Sequence, residues 1–465
     1  MATSKIHSSL EGFENIKFRE KFAYGLGFFG LNSIQGMIMY FLVFFYTDVA
    51  GLPASIAGTL ILISRLLDGA LTPFIGFKLD NTTHTKWGKF RPYLLYGAVP
   101  LGILFILIFV NPSLGQTGNI IFIFFTYLLL NILLSVISIP LTGLNTIITG
   151  DPKQRASLTA FMLIFTSLGF LFASQLMVVV DFFEKPSTGF FVTALIVGVI
   201  SIFFIWLCFY NIKERVAPQQ EAKKITLKEM LFVISHNRAL LIVTLVMLLI
   251  SITLNIRLGA LIYYFTYNLN AMELFALFNL IYTAITVLIQ FGIGESLTRI
   301  GKSRMYCISA LIGSIGFLGA FIIGSSSITL AIVFTTIGNI GLDLLFLCVW
   351  AMVPDTVEYG ERKTGRRSEG TIYSIQALSG KVAGALAGAM LGWLLATTGY
   401  NSNGEQTKQA LNGIMHITNT IPLVLTIITI GIMFLYPRNN RTQGQFTDEE
   451  LTKPFMENSH SNKVQ

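Results

Sequence analysis

Five ionisable side chains other than Tyr and Cys fall well inside the long apolar runs of this 465-residue chain: Arg65, Asp68, Arg257, Asp343 and Lys381. An ionised group held at the depth of hydrocarbon costs about 3 kcal/mol or more, so such groups face the protein interior and pair. A carboxylate there can take up a proton or a small cation. Asp68 is the candidate carrier and Lys381 its counter-charge. Protonating Asp68, or giving it a cation, would weaken that pair, which is how ion occupancy can be tied to conformation. Arg65 lies three residues before Asp68 on one helix face, where it can touch Asp68 or a nearby carbonyl. Arg257 and Asp343 form a second complementary couple. Either they pair, or Arg257 offers a fork of donors to an anionic group of a ligand.

The uncharged polar residues of the same runs are periodic. Asn131, Ser135, Ser138 and Thr142 fall at i, i+4, i+7 and i+11, a single helical face. Asn279, Thr283, Thr286 and Gln290 follow the same spacing, Asn32 and Gln35 lie in the first run, and Asn339, Asp343 and Phe346 share a face with Trp350 one turn further on. Hydroxyl and amide groups around an aromatic platform suit a polyhydroxylated ligand, whose hydroxyls they bond while the ring covers an apolar face. Interhelical hydrogen bonding is the other use of such residues in membranes. No catalytic set emerges. His7, His84, His236, His416 and His460 lie near the ends or in loops, and Cys208, Cys307 and Cys348 sit in separate apolar runs without metal or disulfide spacing. No phosphate-cradling loop or nucleotide-binding domain is present. Neither an enzyme nor a cofactor is expected.

The elements that position these residues follow from composition. The chain is 53% hydrophobic and 12% charged, against about 25% charged in a soluble domain, and its mean hydropathy is +0.68. Runs of about 20 apolar residues recur along it, without the alternating ten-residue segments of a membrane barrel. They predict an all-α membrane protein with twelve transmembrane helices near 22–46, 55–79, 93–110, 119–142, 156–180, 190–210, 239–267, 273–296, 305–324, 329–353, 371–396 and 414–436. The first 21 residues are polar, so no cleavable signal is expected. The long basic stretch 211–238 divides an N-terminal six-helix bundle (1–210) from a C-terminal one (239–436), with a polar tail at 437–465. Most of the 32 Lys and Arg lie before span 1, between even and odd spans, or after span 12; the opposite loops hold only Lys185 and Lys408. By the positive-inside rule both termini are cytoplasmic. The net charge of +8 is thus a topology signal and not a nucleic-acid footprint.

The halves carry a weak repeat. KWGKFRPY (86–93) after span 2 matches RIGKSRMY (299–306) after span 8 in position and in its Gly-Lys-x-Arg core. Six plus six spans in parallel repeated halves describe the major facilitator fold, and Gly76-Phe-Lys-Leu-Asp80 resembles that superfamily's Gly-x-x-x-Asp signature.

Four segments carry a closer resemblance: YGLGFFGLNSIQG (24–36), FYTDVAGLPASIAGTL (45–60), SRLLDGALTPFIG with WGKFRP (64–92), and DTVEYGERKTGRRSEGTIYSIQALSGK (355–381). On these the chain resembles the glycoside–pentoside–hexuronide:cation symporter family, the melibiose permease-like branch of the major facilitators. The resemblance implies a carrier that moves a sugar with Na+, Li+ or H+ by alternating access. Asp68 matches that family's first cation-site aspartate, Lys381 the lysine beside it, and Ser135 falls where a helix 4 hydroxyl contributes. Thr72 stands where a second carboxylate is usual, which favours H+ over Na+ or Li+ as coupling ion. The family's sugar-binding aspartates correspond to Asn32 and Ser138, its helix 4 and helix 10 tryptophans to Thr142 and Phe346, and Phe161-Met162-Leu163 occupies the place of an arginine. Candidate sugar contacts are therefore Asn32, Gln35, Ser138, Thr142, Arg257, Asp343 and Phe346. Lys89, Arg91, Asp355, Glu358, Glu361, Arg366 and Arg367 would form an inside gate whose pairs hold in the outward-open state and break in the inward-open one. The expectation is a monomeric carrier in a bacterial cytoplasmic membrane, with a sugar, a monovalent cation and lipid as partners and no nucleic acid. A Na+-coupled symporter, a lysolipid carrier and a non-transporting substrate sensor are the alternatives.

Overall fold

The structure is a computed structural model describing residues 15–80, 85–112, 114–149, 151–215, 235, 237–364, 369–402 and 405–437. Among the described residues, twelve long apolar helices make up the N-terminal half, α1 (Phe18–Phe44), α2 (Ala54–Asp80), α3 (Arg91–Leu107), α4 (Gly115–Ile148), α5 (Pro152–Gln175, followed by a short turn of helix at Met177–Val180) and α6 (Pro186–Asn211), and the C-terminal half, α7 (Arg238–Tyr263), α8 (Leu274–Ile300), α9 (Lys302–Ile323), α10 (Ile328–Thr364), α11 (Glu369–Thr397) and α12 (Lys408–Met433, with a π turn at His416–Thr420). Ten are long and apolar enough to cross a membrane; α3 and the apolar part of α8 (Leu274–Ile289) are shorter. No strand is formed among the described residues; Thr85 and Gly88 make one isolated bridge. In hydrocarbon every backbone N–H and C=O must be satisfied within its own segment, so apolar runs of this length fold as helices.

The ends follow local chemistry. Asp151 caps α5 by accepting from the Lys153 N–H at 2.9 Å, and Asn237 caps α7 by accepting from the Leu240 N–H at 2.9 Å. Proline opens α3, α5 and α6 in the first turn, where its missing N–H costs nothing. Gly301 links α8 to α9 at φ +89°, backbone that favours glycine. Several helices overrun their predicted spans, most of all α10, which reaches Thr364, and α4, which runs from Gly115 to Ile148. Hydropathy marks the stretch that needs lipid, whereas helical hydrogen bonding continues past it into polar sequence.

The halves meet along α2 and α11. A Cβ on Gly392 would fall 2.4 Å from the Ala54 carbonyl, so only glycine allows this approach. The pair α2–α11 brings Asp68 and Lys381 together.

A repeat that the sequence reading missed lies at the ends of α1 and α7. Both run into a π turn, Phe45–Val49 (FYTDV) and Tyr264–Asn268 (YFTYN). Corresponding backbone bonds close them, Ala50 N–H to Phe45 O and Leu269 N–H to Tyr264 O. Thr47 and Asp48 thereby correspond to Thr266 and Tyr267.

Candidate functional site

Asp68 is 7% exposed. Its carboxylate accepts from the Ser135 hydroxyl of α4 at 2.7 Å and from Lys381 Nζ of α11 at 3.1 Å. The same ammonium donates to Ser135 Oγ at 3.0 Å and to Thr72 Oγ1. Thr72, one turn beyond Asp68, passes its own proton to the Asp68 carbonyl at 2.8 Å. All three ammonium protons are thus used, and each hydroxyl both donates and accepts. Three side chains from α2 and α4 make an oxygen cage, and the cation in it is the protein's own lysine, Lys381 of α11.

This cage borders a cavity of about 280 Å³ lined by Gln35, Met39, Arg65, Asp68, Asn131, Leu134, Ser135, Ser138, Asn255, Ala377, Gly380, Lys381 and Gly384. Gln35 and Ser138 therefore lie beside the cage. Asn32 is turned away, donating to the Phe28 carbonyl at 2.7 Å and to Thr166 of α5 at 3.2 Å. Thr142, on the same helix as Ser138, is exposed and outside the cavity. Phe346 stacks on Trp350, with ring planes 9° apart, and is also outside it.

The Arg257–Asp343 pair is not formed, and neither residue lines the cavity. Arg257 is 1% exposed, lies over the Phe317 ring at 4.6 Å, and gives its protons to Asn339 Oδ1, the Thr418 carbonyl and, more distantly, Asn419 and the Thr335 carbonyl. Four oxygens converge on it from α10 and α12, so it is spent on joining helices of its own half. Asp343 instead accepts from the hydroxyls of Tyr282 and Thr286 on α8. Arg65 likewise bonds Tyr127 at 2.9 Å through Nε and makes no ion pair with Asp68 among the described residues.

The two faces of the molecule differ. Where α1, α7 and α11 end, Asp48 accepts from Tyr267 and Tyr400, and Thr47 lies 2.8 Å from the Tyr263 hydroxyl, all across the halves. Burial, then Asp48, pushes the loop phenol Tyr400 well above its usual range, so it remains a donor. Phe275 of α8 packs on Tyr40 and Phe41 of α1 at 6.2 and 6.1 Å. At the opposite, basic face, the following polar contacts each lie within one half. Glu214 accepts the N–H groups of Lys89, Phe90 and Arg91 at 2.7, 2.8 and 3.0 Å, and Arg91 donates to the Phe209 carbonyl at 2.8 Å. Asp355 pairs with Lys302 at 2.6 Å and Glu358 with Arg362 at 4.0 Å. Glu361 is on α10 beside them; Arg366 and Arg367 lie outside the described residues.

Sequence reasoning missed Asn255, which borders the cavity although its own amide is tied to the Ser251 carbonyl. It also missed the Asp48 cluster. The signal available was the match of FYTDV to YFTYN, hidden because acid and phenol stand at equivalent positions.

The family model for MFS/sugar transport protein matches residues 23–440. The chain is 33% identical over 425 residues to the uncharacterized symporter YnaJ of Bacillus subtilis, covering 90% of this chain and 92% of that protein. It is 31% identical over 441 residues to the isoprimeverose transporter of Lactiplantibacillus pentosus, covering 93% and 90%. Among solved structures it is similar in fold to a D-xylose–proton symporter, with a TM-score of 0.63 at 15% identity over 89% of this chain and 97% of that one. With twelve helices in two halves and a buried acid–lysine cage between them, this multi-span membrane protein belongs to the MFS/sugar transport protein family, a family of transporters and not of enzymes.

Proposed function

We propose that this protein is a cation-coupled sugar symporter that takes up a glycoside or pentoside by alternating access. The observation that carries the reading is the shared wall of cavity and cage: Asp68, Ser135 and Lys381 belong to both. Gln35, Asn131, Ser138 and Asn255 supply amide and hydroxyl groups for sugar hydroxyls. This polar lining favours a sugar over a lysolipid. Similarity to an isoprimeverose transporter makes pentose-containing glycosides the first substrates to try.

H+ fits the cage better than Na+. With Thr72 in place of a second carboxylate, one acid faces one resident ammonium. A proton needs only one carboxyl oxygen. A sodium ion would have to evict Lys381 from the oxygens and find further ligands. Once Asp68 is neutralised, Lys381 loses its charge partner, and the α2–α11 seam is freed to move. The bonds at Asp48 across the other face fit a state closed on that side, with the basic face and both termini in the cytoplasm of a bacterial cell.

Arg65 supports a second substrate class. It lines the cavity, and among the described residues only its Nε has a protein acceptor. Its outer nitrogens could take a hexuronide carboxylate. Uptake of isoprimeverose, methyl-β-xyloside and a methyl glucuronide into membrane vesicles, with matched binding measurements, tests these readings. Gln35→Ala or Ser138→Ala should raise KM about 5- to 10-fold, the worth of one hydrogen bond. Arg65→Gln should harm the glucuronide more than the neutral sugars. Binding without accumulation for every sugar would make the protein a sensor and overturn the transport reading.

A further inference from the structure

Asp343 lies near the middle of α10, inside the C-terminal half and away from the cavity. Its carboxyl accepts from Tyr282 and Thr286 of α8. Beside it runs a crevice lined by Thr286, Ile289, Ile340, Leu344 and Leu347, too narrow for a water molecule. The charged or titratable groups facing it can be named helix by helix. From α8 there is Tyr282, and from α1, across the seam of the halves, Tyr40. From α7 there is Arg257, which lies near Tyr282 but spends its protons on Asn339, Thr335, Thr418 and Asn419. The charged side chains of α9, Lys302 and Arg304, sit at its far end, and Lys381 of α11 is held by Asp68. Every donor to Asp343 among the described residues is a neutral hydroxyl.

We propose that Asp343, with Tyr282 and Thr286, forms a second proton-binding site, in the C-terminal half and separate from the Asp68–Lys381 cage. An ionised carboxylate in an apolar crevice needs a cation or water; among the described residues no cation donates to this one, and the crevice beside it is too narrow to admit water, whereas as a neutral acid it needs only the hydroxyls it has. Tyr40 makes the site sensitive to conformation. When the halves part along α1 and α8, Tyr40 withdraws and water can enter. The O–H bond of the acid then breaks, its proton passes to that water, and the carboxylate keeps Tyr282 and Thr286 as donors. The use of this proton in transport rests on the symport reading, whereas its presence on Asp343 does not.

The test needs no substrate. Infrared difference spectra of the full-length protein in lipid vesicles, in H2O against D2O at neutral pH, should show the C=O stretch of a protonated carboxyl. Asp343→Asn should remove that component, while Asp68→Asn and Asp48→Asn, the latter a control for the other hydroxyl-bound acid, should keep it. Tyr282→Phe should retain the band with a shifted frequency because a donor to the carboxyl is gone; this shift decides the matter if Asp343→Asn does not fold. A spectrum unchanged by both Asp343→Asn and Tyr282→Phe overturns the proposal. Loss of sugar uptake in every assay, with these band changes present, would instead count against the symport reading alone.

Discussion

Asp68 and Asp343 are both aspartates well inside membrane helices, one in each half, yet their surroundings are opposite in kind. Asp68 has an ammonium from the other half and a hydroxyl on the cavity wall. Asp343 has two hydroxyls from its own half and an apolar crevice. A cation across the seam ties the acid it pairs with to the distance between the halves. Hydroxyls within one half keep an acid in place, with Tyr40 of the other half nearby but not among its donors. The difference favours Asp68 as the coupling residue of the proposed symport, with Asp343 as the proposed proton site away from the cavity.

The largest expected contrast is in uphill transport. Asp68→Asn should abolish uphill accumulation while exchange of substrate across the membrane survives, since an amide takes up no proton. Asp343→Asn keeps an acceptor for Tyr282 and Thr286 and should lower accumulation only several-fold. Equal losses, measured as steady-state accumulation ratios in vesicles, would break the comparison.

Stability sharpens it next. Lys381→Met leaves Asp68 without its cation and should cost about 3 kcal/mol. The double variant Asp68→Asn with Lys381→Met should recover more than half of that loss in thermal unfolding. If the double variant is less stable than Lys381→Met alone, the cage is not held by charge balance.

A smaller effect is expected on ion choice. Thr72→Asp adds a second carboxylate one turn after Asp68 and should raise the Na+ dependence of uptake several-fold. An unchanged ion preference would count against the account of why this cage suits a proton.

The cage was legible because its signals are local: a charge in an apolar helix, a residue one turn later, a hydroxyl on a periodic face. The twelve helices were legible for the same reason, since hydrocarbon imposes length and hydropathy on each span separately. The partners of Arg257 were not. Two opposite charges in one half invite a pair, but the guanidinium is satisfied by Asn339, Asn419 and two backbone carbonyls, and carbonyls leave no mark in a sequence. Helix rotation also decided Asn32 against Gln35: three residues apart, one is tied toward α5 and the other lines the cavity. The Asp48 cluster went unseen because its members come from three distant segments and only the fold brings them together.

The account turns on a proton moving through Asp68 with the sugar. The most direct measurement is pH in a lightly buffered suspension of energy-depleted cells expressing the protein, after adding isoprimeverose or methyl-β-xyloside. The account predicts a transient alkalinisation of the medium with the wild-type protein and none with Asp68→Asn. Uptake that requires Na+ and proceeds without any pH change would contradict it.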